Sequence, residues 1–373
     1  MLNRAGNPEP ELGAYVAEEN WGSFDSPSWQ AKRHSGYYKS YNIDSGGFSM
    51  KACVATGEKG KIELRDVPEP ELEAGSLLLK THCSLICGSD IEYLQGLHGD
   101  IIANEIRGHE FVAEVAAVGK GVSDWKVGDR AVPISHTSNY GCWADYFVCP
   151  PIGVQKVPDN VSDEDAVFVE PLHTGFGSAE ACNIKPGEAV CVIGAGKIGL
   201  LTIMSAKVMG ASPIIAVDIE PSRLEKALEV GADFALNANE VDVIPKVKAL
   251  TPSAIGHPAG YGPEAIVICV RQGNVLNQAI DMGMQGARIV LAGFMPKTEI
   301  NPEKLVLKQL ILSGVLAGRF GENRNNGKRA MRLLATEQIS PQALITDTMG
   351  HADIQHAIDS TIKGDNLAIL LQP

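Results

Sequence analysis

Nowhere do the 373 residues come near the ~20 consecutive apolar side chains of a bilayer-spanning helix, so no helical membrane span is expected. Lys and Arg form no cluster and the formal net charge is −13, which leaves no basic face for nucleic acid or for an anionic membrane. The eight cysteines (Cys53, Cys83, Cys87, Cys142, Cys149, Cys182, Cys191 and Cys269) follow no framework spacing, and several fall inside apolar strands. They read as reduced, mostly buried small residues of an intracellular protein. Internal repeats and low-complexity segments are absent too. What is present is an ordinary globular composition, 45% hydrophobic and 21% charged, with length for two or three domains.

Residues 1–49 stand apart. They show no sustained periodicity and carry six acidic against four basic side chains. They lack the apolar core of a secretory signal, and their acidity is unlike a transit peptide, so a cytoplasmic placement is expected. Eight aromatics (Tyr15, Trp21, Phe24, Trp29, Tyr37, Tyr38, Tyr41, Phe48) are more than a solvated tail usually carries. Either this N-terminal extension packs on the body or a partner subunit, or Met50 is the true start.

The strongest pattern is the apolar run Ala189–Leu200, which ends in Gly194-x-Gly196-x-x-Gly199 and passes into a helix over Lys197–Met209 with Ile198, Leu201, Met204 and Val208 on one face. The first glycine permits a sharp strand-to-helix turn, the second lets backbone approach a pyrophosphate, and the third lets helix and strand pack closely. Lys197 and Ile198 lie between the glycines and are placed against the cofactor with them. A second apolar strand, Ile214–Val217, ends in Asp218, about 20 residues past the glycines, where a carboxylate suits the ribose hydroxyls of NAD and repels the 2′-phosphate of NADP. No basic residue follows before Arg223. Further strands and helices alternate through Ala265–Val270, Asn274–Met282, Ala287–Ala292 (ending in Gly293-Phe294), Pro302–Leu307 and Leu310–Leu316, the pattern of a doubly wound parallel sheet. Thr251–Gly262 reads as a surface loop.

Before this unit, from Met50, short strands such as Lys61–Arg65, Ser76–Ser84, Phe111–Val118 and Ala131–Ile134 alternate with Pro/Gly turns, a small β-rich domain. It carries Cys87-Gly-Ser-Asp90 and Gly108-His-Glu110, with Val169-Glu-Pro-Leu172 following. One thiolate, one imidazole and one carboxylate (Cys87, His109, Glu170) could hold Zn²⁺ and leave a fourth position open, the stoichiometry of a catalytic site.

The order of these motifs, with Val127-Gly-Asp-Arg130 between them and Asp218 closing a strand, resembles the zinc-dependent medium-chain dehydrogenase/reductase family, which includes alcohol, sorbitol and threonine dehydrogenases. The resemblance spans residues 50–373. It implies an α/β protein with a GroES-like catalytic domain (50–176 and 318–373) and a Rossmann domain (177–317). It further implies that Cys87, His109 and Glu170 hold a single catalytic zinc, with Glu110 a fourth ligand or a close neighbour exchanging with water. Asp90 would hold the other ring nitrogen of His109, Ser89 would bond the substrate oxygen, and Thr174 and the backbone of Gly318–Gly321 would lie near the nicotinamide. Glu170 in place of a cysteine is similar to the polyol and threonine branch.

Three departures qualify the match. The cysteine-rich lobe that binds a structural zinc is missing after Val132-Pro-Ile, so one zinc is expected, with Cys142 and Cys149 in the core. Glu92 stands where many members carry a proton-relaying His, and either it or a water serves. Arg107 precedes Gly-His where an apolar residue is usual, and the sequence offers no reason. The activity implied is hydride transfer between a secondary alcohol and NAD, with Ser89 accepting or relaying the departing proton. Ser135, His136 and His173 make a polar pocket, favouring a polyol, sugar or cyclitol. A homo-oligomer, dimer or tetramer, is expected. The competing readings are a zinc-free enoyl or quinone reductase on the same fold, which has no use for the metal set, and a non-catalytic NAD-binding protein.

Overall fold

The computed structural model describes residues 49–97, 99–134, 141–251, 261–316 and 323–373. The extension up to residue 48, Ser135, His136 and Gly318–Gly321, all named above, lie outside the described residues.

The chain opens with the antiparallel pair β1 (Ser49–Ala55) and β2 (Ile62–Pro68). β3 (Leu77–Leu85), α1 (Gly88–Leu94), β4 (Glu110–Val118), β5 (Arg130–Pro133), β6 (Tyr146–Cys149) and β7 (Val154–Lys156) follow. The apolar residues of β3 alternate because one face of its sheet covers a core in which Phe111 and Phe147 meet edge to face at 4.7 Å. Two helices lead out, α2 (Asp163–Ala166), capped by the Ser162 hydroxyl accepting from Asp165 N, and α3 (Val169–Ala181).

The second sheet is formed by β8 (Val190–Ile193), β9 (Ile214–Asp218), β10 (Phe234–Asn237), β11 (Ala265–Ile268), β12 (Arg288–Leu291) and β13 (Ile311–Gly314). Its strands are all parallel, in the order β10-β9-β8-β11-β12-β13. Every residue of β8, β9 and β11 is buried, as parallel strands covered on both faces require. The connecting helices are α4 (Lys197–Val208), α5 (Pro221–Glu229), α6 (Val243–Leu250), α7 (Asn274–Met282) and α8 (Pro302–Lys308). The strand order reverses between β8 and β11, which opens a crevice at their carboxyl ends. α9 (Asn323–Ala335), β14 (Ile345–Gly350), α10 (Ile354–Lys363) and β15 (Ala368–Gln372) complete the chain, and β15 pairs with β3 through Leu370–Leu85. The first sheet thereby runs β14-β15-β3-β4-β5-β7, with β6 also on β3.

One expectation changes. The four-residue stripe assigned to α4 is too narrow: Gly199 through Ala206 are all buried, because the helix is covered by α3 as well as by the sheet. At Gly175 of α3 a Cβ would come within 2.7 Å of Leu201 Cβ, so the two helices approach as closely as backbone allows. This packing sets the helix carrying Glu170 against the helix that begins at the glycine turn. No helix among the described residues is long and apolar enough to cross a membrane.

Candidate active site and dinucleotide cleft

The glycine turn lies at the switch point. Gly194 has φ +98°, and a Cβ on it would be 2.5 Å from Val270 Cγ1; its N–H donates to Val217 O at 2.7 Å. At Gly199 a Cβ would lie 1.8 Å from the Gly194 carbonyl oxygen. Gly196, the N-cap of α4, differs: its φ is −74° and a Cβ would meet nothing within 4 Å. The fold needs the outer two glycines; the open space over Gly196 is a cradle kept for something else, and the N-terminus of α4 suits phosphate.

Asp218 is held rigidly at the end of β9. Its Oδ2 accepts from Ala195 N at 2.6 Å, and its Oδ1 from Ile219 N at 2.7 Å and Glu220 N at 3.0 Å. Arg223 is turned away to the Gly364 carbonyl, 3.2 Å from Nη2. Just past the end of β12, Gly293 runs so close to the segment that follows β11 that a Cβ would sit 2.5 Å from Val270 O, and Phe294 beside it is 63% exposed. Ile198 is partly buried in the first turn of α4, and Thr174 is partly buried on α3.

The metal candidates meet where β3 and β4 end together, Leu85 opposite Glu110. Cys87 is the N-cap of α1. His109 follows Gly108, whose φ is +103° and whose missing Cβ is required because it would be 2.5 Å from the Trp143 ring. Donor atoms of Cys87, His109 and Glu110 all lie within 4.8 Å of one another. Glu170, in the first turn of α3 and 4% exposed, is buried nearby but outside that set of three. Burial above all pushes the Glu170 carboxyl up to about 7, with the neighbouring Glu110 and Asp90 adding to it and His109 and Lys197 opposing. Burial opposes charge on His109, yet Asp90 and Cys87 carry its pKa well above the ordinary range.

Asp90 faces the other ring nitrogen of His109: its Oδ2 is 3.5 Å from His109 Nδ1 and accepts from Cys87 N at 3.4 Å. Ser89 Oγ is buried without a hydrogen-bond partner. Glu92 forms an ion pair with Arg271, reaching from α1 to the residues after β11.

Two residues do more than the sequence signalled. Arg107, for which the sequence offered no reason, is 7% exposed and donates to Asp90 Oδ1 at 3.3 Å and Glu105 Oε1 at 3.0 Å, with its guanidinium 4.0 Å from the centre of the Tyr93 ring. The Tyr93 hydroxyl in turn bonds Glu105. A buried arginine next to two carboxylates is explained by them, and the only hint was its odd residue type. Lys197 opens α4 within the glycine turn, and its side chain extends toward the candidate metal donors: Nζ is 2.5 Å from Glu110 Oε2 and 3.1 Å from Ile86 O.

The donors fit a zinc ion. Sulfur, imidazole nitrogen and carboxylate oxygen converge, and the second Glu110 oxygen, Oε1, is buried without a hydrogen-bond partner. The glycine cradle and the fixed Asp218 fit a dinucleotide in the same way.

Residues 73–159 match the alcohol dehydrogenase GroES-like domain, and residues 198–336 match the zinc-binding dehydrogenase family. Sorbitol dehydrogenase of Rattus norvegicus is 30% identical over 345 residues, covering 84% of this chain and 93% of the relative. Among solved structures, alcohol dehydrogenase TADH from Thermus sp. ATN1 superposes with a TM-score of 0.77 at 26% identity, covering 87% of this chain and 99% of its own. The 2R,3R-butanediol dehydrogenase from Bacillus subtilis gives 0.76 at 26% identity, covering 87% and 100%.

Proposed function

Because the chain belongs to the zinc-dependent medium-chain dehydrogenase/reductase family and is an oxidoreductase of alcohols, we propose that it oxidises a polyol-type secondary alcohol reversibly with one zinc and NAD. The observation that carries this is the convergence of Cys87, His109 and Glu110, with Glu170 buried nearby, beside a glycine turn whose own Lys197 reaches the same pocket.

Cys87, His109 and a carboxylate, Glu110 or Glu170, would hold the zinc. Once bound, the two cofactors supply a Lewis acid for the alcohol oxygen and a hydride acceptor. The rest is the protein's own work. Ser89 Oγ, buried and without a partner, accepts a hydrogen bond from the substrate hydroxyl and relays its proton, giving up its own hydroxyl proton to water as it does so, a role worth ~10²–10⁴-fold. Asp90 fixes the tautomer of His109. Thr174 lies against the nicotinamide, and the cradle over Gly196 receives the pyrophosphate. Asp218 takes the ribose diol, and Arg223, the first basic residue after it, is bonded to the Gly364 carbonyl, which supports NAD over NADP. The similarity to sorbitol and butanediol dehydrogenases, with the buried His173 next to Thr174, supports a polyhydroxylated substrate.

The test is NADH formation from a panel of polyols, sugars and cyclitols by zinc-loaded protein, beside Cys87→Ser. Turnover in the wild type and none in the variant, with zinc content falling in parallel, is expected. Undiminished turnover in Cys87→Ser would overturn the metal assignment.

A further inference from the structure

We propose that Lys197 is a positioning residue that limits how firmly Glu110 can hold the metal, an inference that rests on the zinc reading above. Lys197 belongs to the dinucleotide fingerprint, where its backbone opens α4 beside the phosphate cradle. Its side chain serves the other site. The ammonium is buried, bonded to Glu110 Oε2 at 2.5 Å and to the carbonyl of Ile86, the residue before Cys87, at 3.1 Å.

A fourth candidate donor, Glu170, is buried near the converging three. Were it to join Cys87, His109 and Glu110, all four positions of a tetrahedral ion would be filled, and a catalytic zinc must keep one for the reacting oxygen. Two carboxylates and a thiolate would also place three negative charges around a double positive one. Lys197 answers both problems. One Glu110 oxygen is committed to the ammonium, and only Oε1 stays available. A carboxylate shared with a neighbouring cation gives less charge to a metal than an unshared one, and in a buried pocket the difference is little screened. Lys197 also repels a cation directly. The result is an ion bound less tightly and kept electron-poor, as polarisation of an alcohol requires.

Removing the ammonium must therefore tighten metal binding. That direction separates a positioning role from a structural one, since damage to the fold can only loosen the site. The measurement is zinc affinity of the full chain by competition with a chromophoric chelator, for wild type, Lys197→Met, Lys197→Arg and Lys197→Met combined with Glu110→Gln. Lys197→Met should bind zinc at least ten-fold more tightly, Lys197→Arg should stay near wild type, and the double variant should lose the gain. A Lys197→Met no tighter than wild type, or a gain that survives Glu110→Gln, overturns the inference while leaving the zinc reading intact. A wild-type chain that binds no zinc overturns both.

Discussion

On the proposed dinucleotide side of the cleft the groups are mostly backbone, three glycines and the amides at the start of α4, joined by one side chain, the Asp218 carboxylate, which the N–H groups of Ala195, Ile219 and Glu220 pin in place. On the metal side they are side chains, brought from α1, β4, α3 and α4 and oriented by other side chains. The first kind of site is specified by where atoms cannot be, and the second by which charge stands next to which. They should therefore fail differently under substitution, the backbone site by steric exclusion and the side-chain site by loss of a single polar atom.

The sharpest break comes from comparing Gly196 and Gly199 within the same turn, separated by about 4.5 Å of helical rise. In Gly199→Ala the new Cβ would be 1.8 Å from the Gly194 carbonyl oxygen, backbone against backbone, so the turn must open. Loss of dinucleotide binding and a stability drop at or above the about 1–3 kcal/mol of ordinary overpacking are expected. Gly196→Ala meets no atom within 4 Å, so denaturant titration should find its stability within about 0.5 kcal/mol of wild type, while dinucleotide titration shows weakened binding. Equal stability losses in the two would erase the distinction between a glycine needed by the fold and one needed by a ligand.

A smaller effect is expected on the metal side from Arg107→Met. It leaves Cys87, His109 and Glu110 in place but frees Asp90, which should weaken zinc affinity by about 10–100-fold. Arg107→Lys lacks the fork that reaches Asp90 and Glu105 together and should recover only part of the loss. Unchanged zinc affinity in Arg107→Met would detach this network from the site.

The smallest effect is expected at the His82–Asp163 pair. His82 Nδ1 is 2.9 Å from Asp163 Oδ2, while Arg130 takes the other oxygen at 2.7 Å. Hydrogen bonding to Asp163, only partly offset by burial, raises the His82 pKa from 6.5. The same bond, with Arg130 also helping, lowers that of Asp163 from 3.8. The raised His82 value stabilises the fold fully below its unfolded pKa and ceases to do so as pH climbs through the folded one. The depressed Asp163 value works in the opposite sense, complete above its unfolded pKa and lost as pH falls through the folded one. The tie between β3 and α2 is thus strongest at about pH 4–6.5. The Tm difference between wild type and His82→Gln should peak there and shrink toward alkaline pH; a difference that stayed flat would mean that Arg130 alone holds Asp163.

The same contrast governs how much could be read from the amino-acid order. The strand–glycine–helix unit at 189–209 and the strand closing at Asp218 are contiguous, so periodicity and turn chemistry suffice to find them. The helix Asn274–Met282 was legible for the same reason. No helix was assigned over Val169–Ala181, because Pro171, Gly175 and Gly177 argue locally against one. Pro171 falls within its first turn, and Gly175 is tolerated because close packing on α4 demands it, whereas a Cβ at Gly177 would meet nothing closer than 3.5 Å. β10 was not assigned either, being a four-residue edge strand with Phe234 exposed. Lys197 was assigned to the right turn but not to its partner, since Glu110 lies 87 residues away in sequence and only the tertiary fold joins them. Arg107 could be flagged as unusual from the sequence, but its reason, the carboxylates of Asp90 and Glu105, became visible only in three dimensions.

The contact between Gly108 and Trp143 carries a practical corollary. The indole is fully buried, its nitrogen donates to Leu85 O at 3.4 Å, and it packs against the residue immediately before His109. An adjustment of the Gly108–His109 backbone on engaging a ligand would change the surroundings of this indole. A change in tryptophan emission on ligand binding is therefore expected, readable without attaching a label.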